Sequence, residues 1–360
     1  MGQVGNLRPI GNLIGNRPAA GIEKLTAARD RPSLISALVS TSVATPQGTY
    51  LEDRPYKPSG RPNRIVSSKS IIVTNAALII GGALSFFLTG AVFCMATLHV
   101  PRKLAPTPPN ATEVSIVAAD QATLRAWWLR PSKSNENCVL VLHGIADSRA
   151  GSIGFAPMFL NEGYSVLLPD SRAHGASEGP FVTYGLLEKY DVIAWADWMK
   201  RTGCRNLYGL GESLGASILI QAAAVAPAFA AIVAESPYAD LREIAEYRVR
   251  RILTTIRMPG FVSVPVAKAV VSSAVFYAKW VDNLDLRQVS PVNAIAHAST
   301  PILLIHGLQD FRTTAWNSQK LAGANPQSPL WLVPNAEHTG AAAEAPEKFH
   351  RRVLCWFAQH

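Results

Sequence analysis

Asn206-Leu-Tyr-Gly-Leu-Gly-Glu-Ser-Leu-Gly-Ala216 begins as an apolar run, breaks at Gly211-x-Ser213-x-Gly215, and resumes as an apolar, alanine-rich stretch. The pattern predicts a strand, a sharp turn and a helix, with Ser213 at the apex. A turn that tight holds its apex residue in a strained backbone conformation and leaves no room for side chains two residues away. Both of those positions, Gly211 and Gly215, are glycine. Gly-rich turns between two elements also occur with no chemical role, so the flanking sequence decides the reading.

The flanks are regular. Cys138–Gly144, Tyr164–Pro169, Leu207–Gly211, Ala231–Glu235 and Ile302–His306 are short apolar runs of the kind that form strands buried on both faces. Leu124–Arg130 predicts an earlier strand carrying Trp127 and Trp128, which suit either the core or a membrane interface. Leu187, Tyr190, Ala194 and Trp198 mark one face of a helix between two of the strands. Strands alternating with helices predict right-handed crossovers and a mostly parallel, doubly wound sheet, which is an α/β fold class.

Five motifs then occur in order: His143-Gly144 after one strand, Asp170-Ser-Arg-Ala-His-Gly-Ala-Ser-Glu-Gly179 after the next, Gly211-Glu-Ser-Leu-Gly215, His306-Gly-Leu-Gln-Asp310, and Asn335-Ala-Glu-His338. On these the chain resembles the alpha/beta-hydrolase family, in its serine-aminopeptidase-like, monoacylglycerol-lipase-like and thioesterase-like branch, from about Ala111 to His360. The resemblance implies the alpha/beta-hydrolase fold with a helical cap. It also implies a triad in the order nucleophile, acid, base, matched here by Ser213, Asp310 and His338. Some family members carry the acid one strand earlier, where Glu235 and Asp240 stand as the alternatives.

The chemistry of these residue types agrees. A serine hydroxyl is a poor nucleophile until a base accepts its proton, and imidazole titrates in the right range. A carboxylate on the other ring nitrogen fixes the tautomer and stabilises the imidazolium. The oxyanion needs preorganised donors, for which the backbone amides of Ile145 and Leu214 are the expected pair, each worth about 3 kcal/mol of barrier. Asp170, Arg172 and His174 are expected to form a hydrogen-bonded turn beside the site, since charged groups against a packed sheet must be paired. Glu212 receives no role. No Cys or His pair has metal-ligand spacing, and neither a dinucleotide fingerprint nor a phosphate loop occurs, so no metal and no cofactor are expected.

From Ser70 to Pro101 there is no Asp, Glu, Lys or Arg. Residues 71–98 are expected to form one transmembrane helix, because a bilayer core takes about 20 apolar residues. A cleaved signal peptide fits less well, since its apolar region runs about 7–15 residues behind a short basic start. Arg54, Lys57, Arg61, Arg64 and Lys69 precede the span, and only Arg102 and Lys103 closely follow it. The positive-inside rule therefore predicts a cytoplasmic N-terminus and a catalytic domain in the periplasm or another extracytoplasmic compartment.

Residues 1–70 are rich in Gly, Pro, Asn and Arg and predict a disordered basic tail. They hold ten Lys or Arg against four Asp or Glu, which accounts for most of the net charge of +9. That charge beside a span points to anionic lipid and not to nucleic acid. The expected hydrolase domain is 103–360, with a cap insertion at about 241–300. Cap residues Arg242–Ile252 read as a basic helix, and Phe261–Trp280 as an apolar stretch that suits an acyl or lipid substrate as well as it suits packing. Outside the span, Cys138, Cys204 and Cys355 allow one bridge between two of the three.

The expectation is a membrane-anchored serine hydrolase that cleaves an ester or thioester of a small-molecule or lipid acyl substrate through an acyl-enzyme. The alternatives are a serine peptidase of aminopeptidase type and a catalytically inactive binding protein on the same fold. Nothing in the sequence indicates an oligomeric state.

Overall fold

The computed structural model describes residues 68–360, so the tail expected over residues 1–70 falls almost wholly outside the described residues. An eight-stranded sheet has the order β1-β2-β4-β3-β5-β6-β7-β8. Its strands are β1 (Ala111–Val117), β2 (Thr123–Leu129), β3 (Asn137–Leu142), β4 (Ser165–Pro169), β5 (Asn206–Glu212), β6 (Ala231–Glu235), β7 (Ile302–Gly307) and β8 (Leu330–Val333). Pairings involving β2 are antiparallel and the rest are parallel. The helices are α1 (Ser68–Leu98), α2 (Ala156–Leu160), α3 (Glu188–Arg201), α4 (Leu214–Val225), α5 (Leu241–Thr255), α6 (Gly260–Trp280), α7 (Pro291–Ile295), α8 (Trp316–Ala324), α9 (Ala341–Glu344) and α10 (Pro346–Ala358).

Side-chain alternation divides the core into two layers. Leu140 and Leu142 join α3, α4 and α8 on one face of the sheet, and Val139 and Val141 join α2 and α10 on the other. Trp127 and Trp128 follow the same rule: both are buried, one in each layer, so both are core residues. The central strands are buried throughout, which is why their sequences are continuous apolar runs.

Two features differ from the sequence expectations. β1 was not expected: it is an edge strand with much of its length exposed, and Thr112, Glu113 and Ser115 hide its apolar alternation. In α3 the buried face runs through Glu188, Asp191, Val192, Trp195 and Met199, while Tyr190 is exposed. An apolar-only reading missed that face because two carboxylates are buried in it. Asp191 takes the Arg172 guanidinium at 2.7 Å, and Glu188 takes the Thr183 amide at 2.6 Å.

The cysteine question left open by the sequence closes on Cys138 and Cys204, which form a disulfide beside the paired strands β3 and β5. Cys94 and Cys355 are free.

Between β6 and β7 the chain inserts α5 and α6, the cap. α6 packs along α1, and the two run in opposite directions: Phe86 meets Phe276 at 6.3 Å between ring centroids, and Gly90 faces Ser273. The approach is close enough that a Cβ at Gly90 would lie 2.4 Å from the Ser273 carbonyl oxygen. The C-terminal end of α1 is tied to the domain by Val182, whose amide donates to Leu98 O at 2.9 Å, and by Tyr184, whose hydroxyl donates to Thr97 O at 2.8 Å. Residues 71–88 of α1, by contrast, are exposed throughout.

Candidate active site

The turn after β5 forms as the glycine spacing requires. Ser213 has φ 52° and ψ −109°, a region L-residues rarely adopt, and its amide donates to Glu235 O at 2.8 Å. A Cβ at Gly211 would meet the Ala216 nitrogen at 2.5 Å, and one at Gly215 would meet Leu142 O at 2.4 Å. Backbone occupies both spaces, so neither glycine has a substitute.

Ser213 Oγ lies 2.9 Å from His338 Nε2, and His338 Nδ1 donates to Asp310 Oδ2 at 2.6 Å. The three come from the ends of three elements: Ser213 after β5, Asp310 after β7, and His338 in the loop between β8 and α9. Asp310 is buried, which alone would raise its pKa. Hydrogen bonds from His306 and His338, with the His338 charge, instead hold the carboxyl well below the usual carboxylate range. Its second oxygen accepts the amides of Arg312 at 2.8 Å and Thr313 at 2.9 Å.

The alternative acids have other duties. Asp240 caps α5, accepting the Arg242 and Glu243 amides at 3.0 and 3.3 Å. Glu235 accepts the Ala341 amide at 2.8 Å, a contact that holds the start of α9 next to the His338 loop. Burial pushes the Glu235 carboxyl up to about 7, against the Ala341 hydrogen bond and with added repulsion from Asp310. Glu212, beside the serine, is pushed up to about 8 by burial and then by Glu235 and Asp147.

The loop after β3 faces the serine: a Cβ on Gly144 would sit 3.6 Å from Ser213 Cβ. Ile145 donates its amide to no group among the described residues, and Leu214 opens α4, where the first amides have no intrahelical acceptor. Two buried histidines brace this loop. His174 Nε2 accepts the Ala146 amide at 3.1 Å, and His143 Nε2 accepts the Ser171 amide at 3.1 Å. Both must be neutral to accept, and burial lowers the pKa of each, that of His174 to about 4. Asp170 accepts the Arg149 and Ala176 amides, each at 2.8 Å. Arg172 spans Asp191 and Asp120. Asp170, Arg172 and His174 thus shape the turn and do not point at Ser213.

Two spaces meet at Ser213. One is an open mouth of about 700 Å³, lined by Lys103, Arg248, Arg251 and Arg312 with Asp147 and Glu212. Arg248 and Arg312 have no carboxylate partner among the described residues. The other is a mainly apolar cavity of about 420 Å³ running under the cap, walled by Ile244, Val249, Val271 and Ala274 and by Phe93, Cys94, Thr97 and Leu98 of α1. Among the described residues no cluster of three or more His, Cys, Asp or Glu is arranged to hold a metal ion.

Sequence reasoning missed two parts of this arrangement. His306, completely buried, lies 3.2 Å from Asp310 Oδ2 and 2.6 Å from Ser318 Oγ; its place in His306-Gly-Leu-Gln-Asp310 was the available signal. The α1 wall of the cavity had no local signal at all.

The chain matches the alpha/beta hydrolase family profile over residues 139–352. It is 29% identical to the uncharacterised protein YqkD of Bacillus subtilis (strain 168) over 223 residues, covering 60% of this chain and 70% of that protein. It is 27% identical over 199 residues to the lysophosphatidylserine lipase ABHD12 of Danio rerio, covering 53% of this chain and 47% of the relative. Its fold is similar to that of the Pyrococcus furiosus esterase Pf2001, with a TM-score of 0.59 and 24% identity over 73% of this chain and 98% of the esterase.

Proposed function

The chain belongs to the alpha/beta hydrolase family, and from that premise we propose that it is a membrane-anchored serine hydrolase of acyl esters or thioesters. The observation that carries this reading is the relay of Ser213, His338 and Asp310 at the junction of an apolar cavity and a cationic mouth. Ser213 Oγ attacks the acyl carbonyl carbon while His338 Nε2 takes its proton. The oxyanion is held by the amides of Ile145 and Leu214. Collapse of the tetrahedral species breaks the bond to the leaving alcohol or thiol, which receives the proton from His338. Water then repeats the sequence on the acyl-enzyme and releases the acid.

The acyl group belongs in the apolar cavity, whose volume is within the range of about 300–1,000 Å³ usual for ligand pockets. The leaving group then faces Arg248, Arg251 and Arg312, which favour an anionic head. The relative named as a lysophosphatidylserine lipase fits the same division. α1 is the anchor: its uncharged apolar length, Ile71–Leu98, exceeds the about 20 residues a bilayer core takes, and residues 71–88 of it are exposed. The basic flank before the span supports a cytoplasmic N-terminus, and the Cys138–Cys204 bridge supports a domain in an oxidising, extracytoplasmic compartment.

The test is covalent labelling of the full chain in membranes by a fluorophosphonate. Labelling is expected at Ser213, absent in Ser213→Ala, and strongly reduced in His338→Ala. Labelling that persists in Ser213→Ala would end the reading.

A further inference from the structure

The apolar cavity under the cap has a second neighbour besides the cationic mouth. On the outer side of α1 a groove of about 620 Å³ runs past Leu84, Leu88, Val92, Ala96 and Val270 to Phe93. Phe93 also lines the inner cavity, and it is the single residue common to the linings of the two spaces. The adjacent positions divide between them: Ala96 and Val270 face the groove, while Thr97 and Val271 face the cavity. One half-buried phenyl ring therefore separates the space containing Ser213 from a groove on the span.

The groove has no charged residue in its lining, and Leu84, Leu88 and Val92 are each more than half exposed. Leu84 and Leu88 belong to the exposed residues 71–88 and Val92 follows them, all within the 71–98 helix read above as the span. The cap beside them, where Phe276 packs on Phe86, has a matching surface. Between Tyr247 and Val281 there are six Lys or Arg and no Asp or Glu, and Phe261, Phe276 and Trp280 are exposed among them. Aromatic rings with scattered cations and no acids suit the headgroup region of a membrane with anionic lipid.

We propose that Phe93 is the gate of a lateral portal between α1 and α6, through which the acyl chain of a bilayer-resident lipid passes directly into the cavity beside Ser213. The proposal rests on the serine hydrolase reading and adds the route and the physical state of the substrate. An acyl chain in a bilayer is already out of water, and both the groove and the cavity are apolar. Passage between them spares the chain the aqueous exposure that access through the cationic mouth would impose. Meanwhile the polar head stays at the interface, on the side where Arg248 and Arg251 of the cap lie. The outward swing of one ring is a rotamer change, which needs no movement of the cap backbone.

The experiment uses the full chain in phosphatidylcholine vesicles with two fluorophosphonates, one short and water-soluble, the other bearing a long alkyl chain that partitions into the bilayer. The quantity read is the ratio of the two labelling rates at Ser213. Phe93→Trp and Val270→Trp are expected to lower the long-to-short ratio about fivefold or more, and Phe93→Ala to raise it. Phe311→Trp, at the aqueous mouth, is expected to slow the short probe more than the long one. For the wild type, diluting the long probe with added lipid at fixed bulk concentration should slow labelling in proportion to its mole fraction in the bilayer. The proposal is overturned if the ratio is insensitive to all three variants on the α1–α6 side, or if long-probe labelling follows bulk concentration. Absence of labelling by both probes would instead overturn the serine hydrolase reading, and the portal with it.

Discussion

The C-terminal ends of the central strands, where Ser213 sits, and the wall that α1 builds with α6 of the cap are two different kinds of construction. At the strand ends the catalytic acid is fully engaged: Asp310 alone receives two histidines and two backbone amides. The α1–α6 wall has few directional contacts, among them the thiol of Cys94 on Ala274 O at 3.2 Å, and is held by shape, with a glycine letting two backbones approach. The first construction is specified group by group, so removing one partner leaves another buried and unsatisfied. The second is specified by volume, so it fails when something is added.

The largest effect should come from breaking the polar region with the least change of shape. Asp310→Asn keeps the size of the side chain but presents an amide to His338 Nδ1, favouring the tautomer that cannot take the serine proton. The expected loss is about 10⁴-fold in kcat/KM for a short soluble ester. Measuring the melting temperature alongside separates chemistry from folding. A loss under tenfold with a folded variant would mean that another carboxylate orients His338, and Glu235, which accepts the Ala341 amide next to the His338 loop, is the candidate.

The same contrast explains what could be read from the sequence. Gly211, Ser213, Gly215, Asp310 and His338 were legible because each sits at the end of an apolar strand run, and strand, turn and helix are local properties of a few residues. The central strands were legible for the same reason. β1 was not, because an edge strand needs no apolar continuity. The pairing of Cys138 with Cys204 was not, because it depends on β3 lying next to β5 and no local pattern states that adjacency. α1 and α6 were each visible as apolar segments, one as a span and one as part of a cap, but their contact joins residues about 180 positions apart. His306 shows the limit from the polar side. A buried histidine looks like any strand residue until the carboxylate it supports has been located.

The wall should respond to added volume. Gly90→Leu places a side chain where the Ser273 carbonyl already stands, so α1 and α6 must separate. The expected cost is about 1–3 kcal/mol of stability, the usual range for overpacking. Gly90 lines neither the cavity nor the mouth, so short-ester hydrolysis should survive while selectivity for acyl chain length broadens, measured as kcat/KM across a chain-length series. An unchanged series with an unchanged melting temperature would mean that the α1–α6 contact does not shape the cavity.

The smallest effect lies between the two regions, at Glu235, where a carboxyl oxygen with no hydrogen-bond partner is buried close to the site. Burial raises this acid from 4.5 to about 7. Over that window the folded chain keeps a proton that the unfolded chain has lost, so this group's contribution to stability is present at low pH and declines as pH rises through the folded value. Between about pH 6 and pH 8 the decline should be about 1 kcal/mol. Glu235→Gln retains an acceptor for the Ala341 amide and has no proton to lose, so its stability should change less over the same interval than that of the wild type. Denaturant titrations at the two pH values measure this directly. An equal decline in the two proteins would mean that Glu235 is ionised in the folded protein across this interval, with a charge compensated by the surrounding amides, and that the satisfaction seen at Asp310 extends one strand further across the sheet.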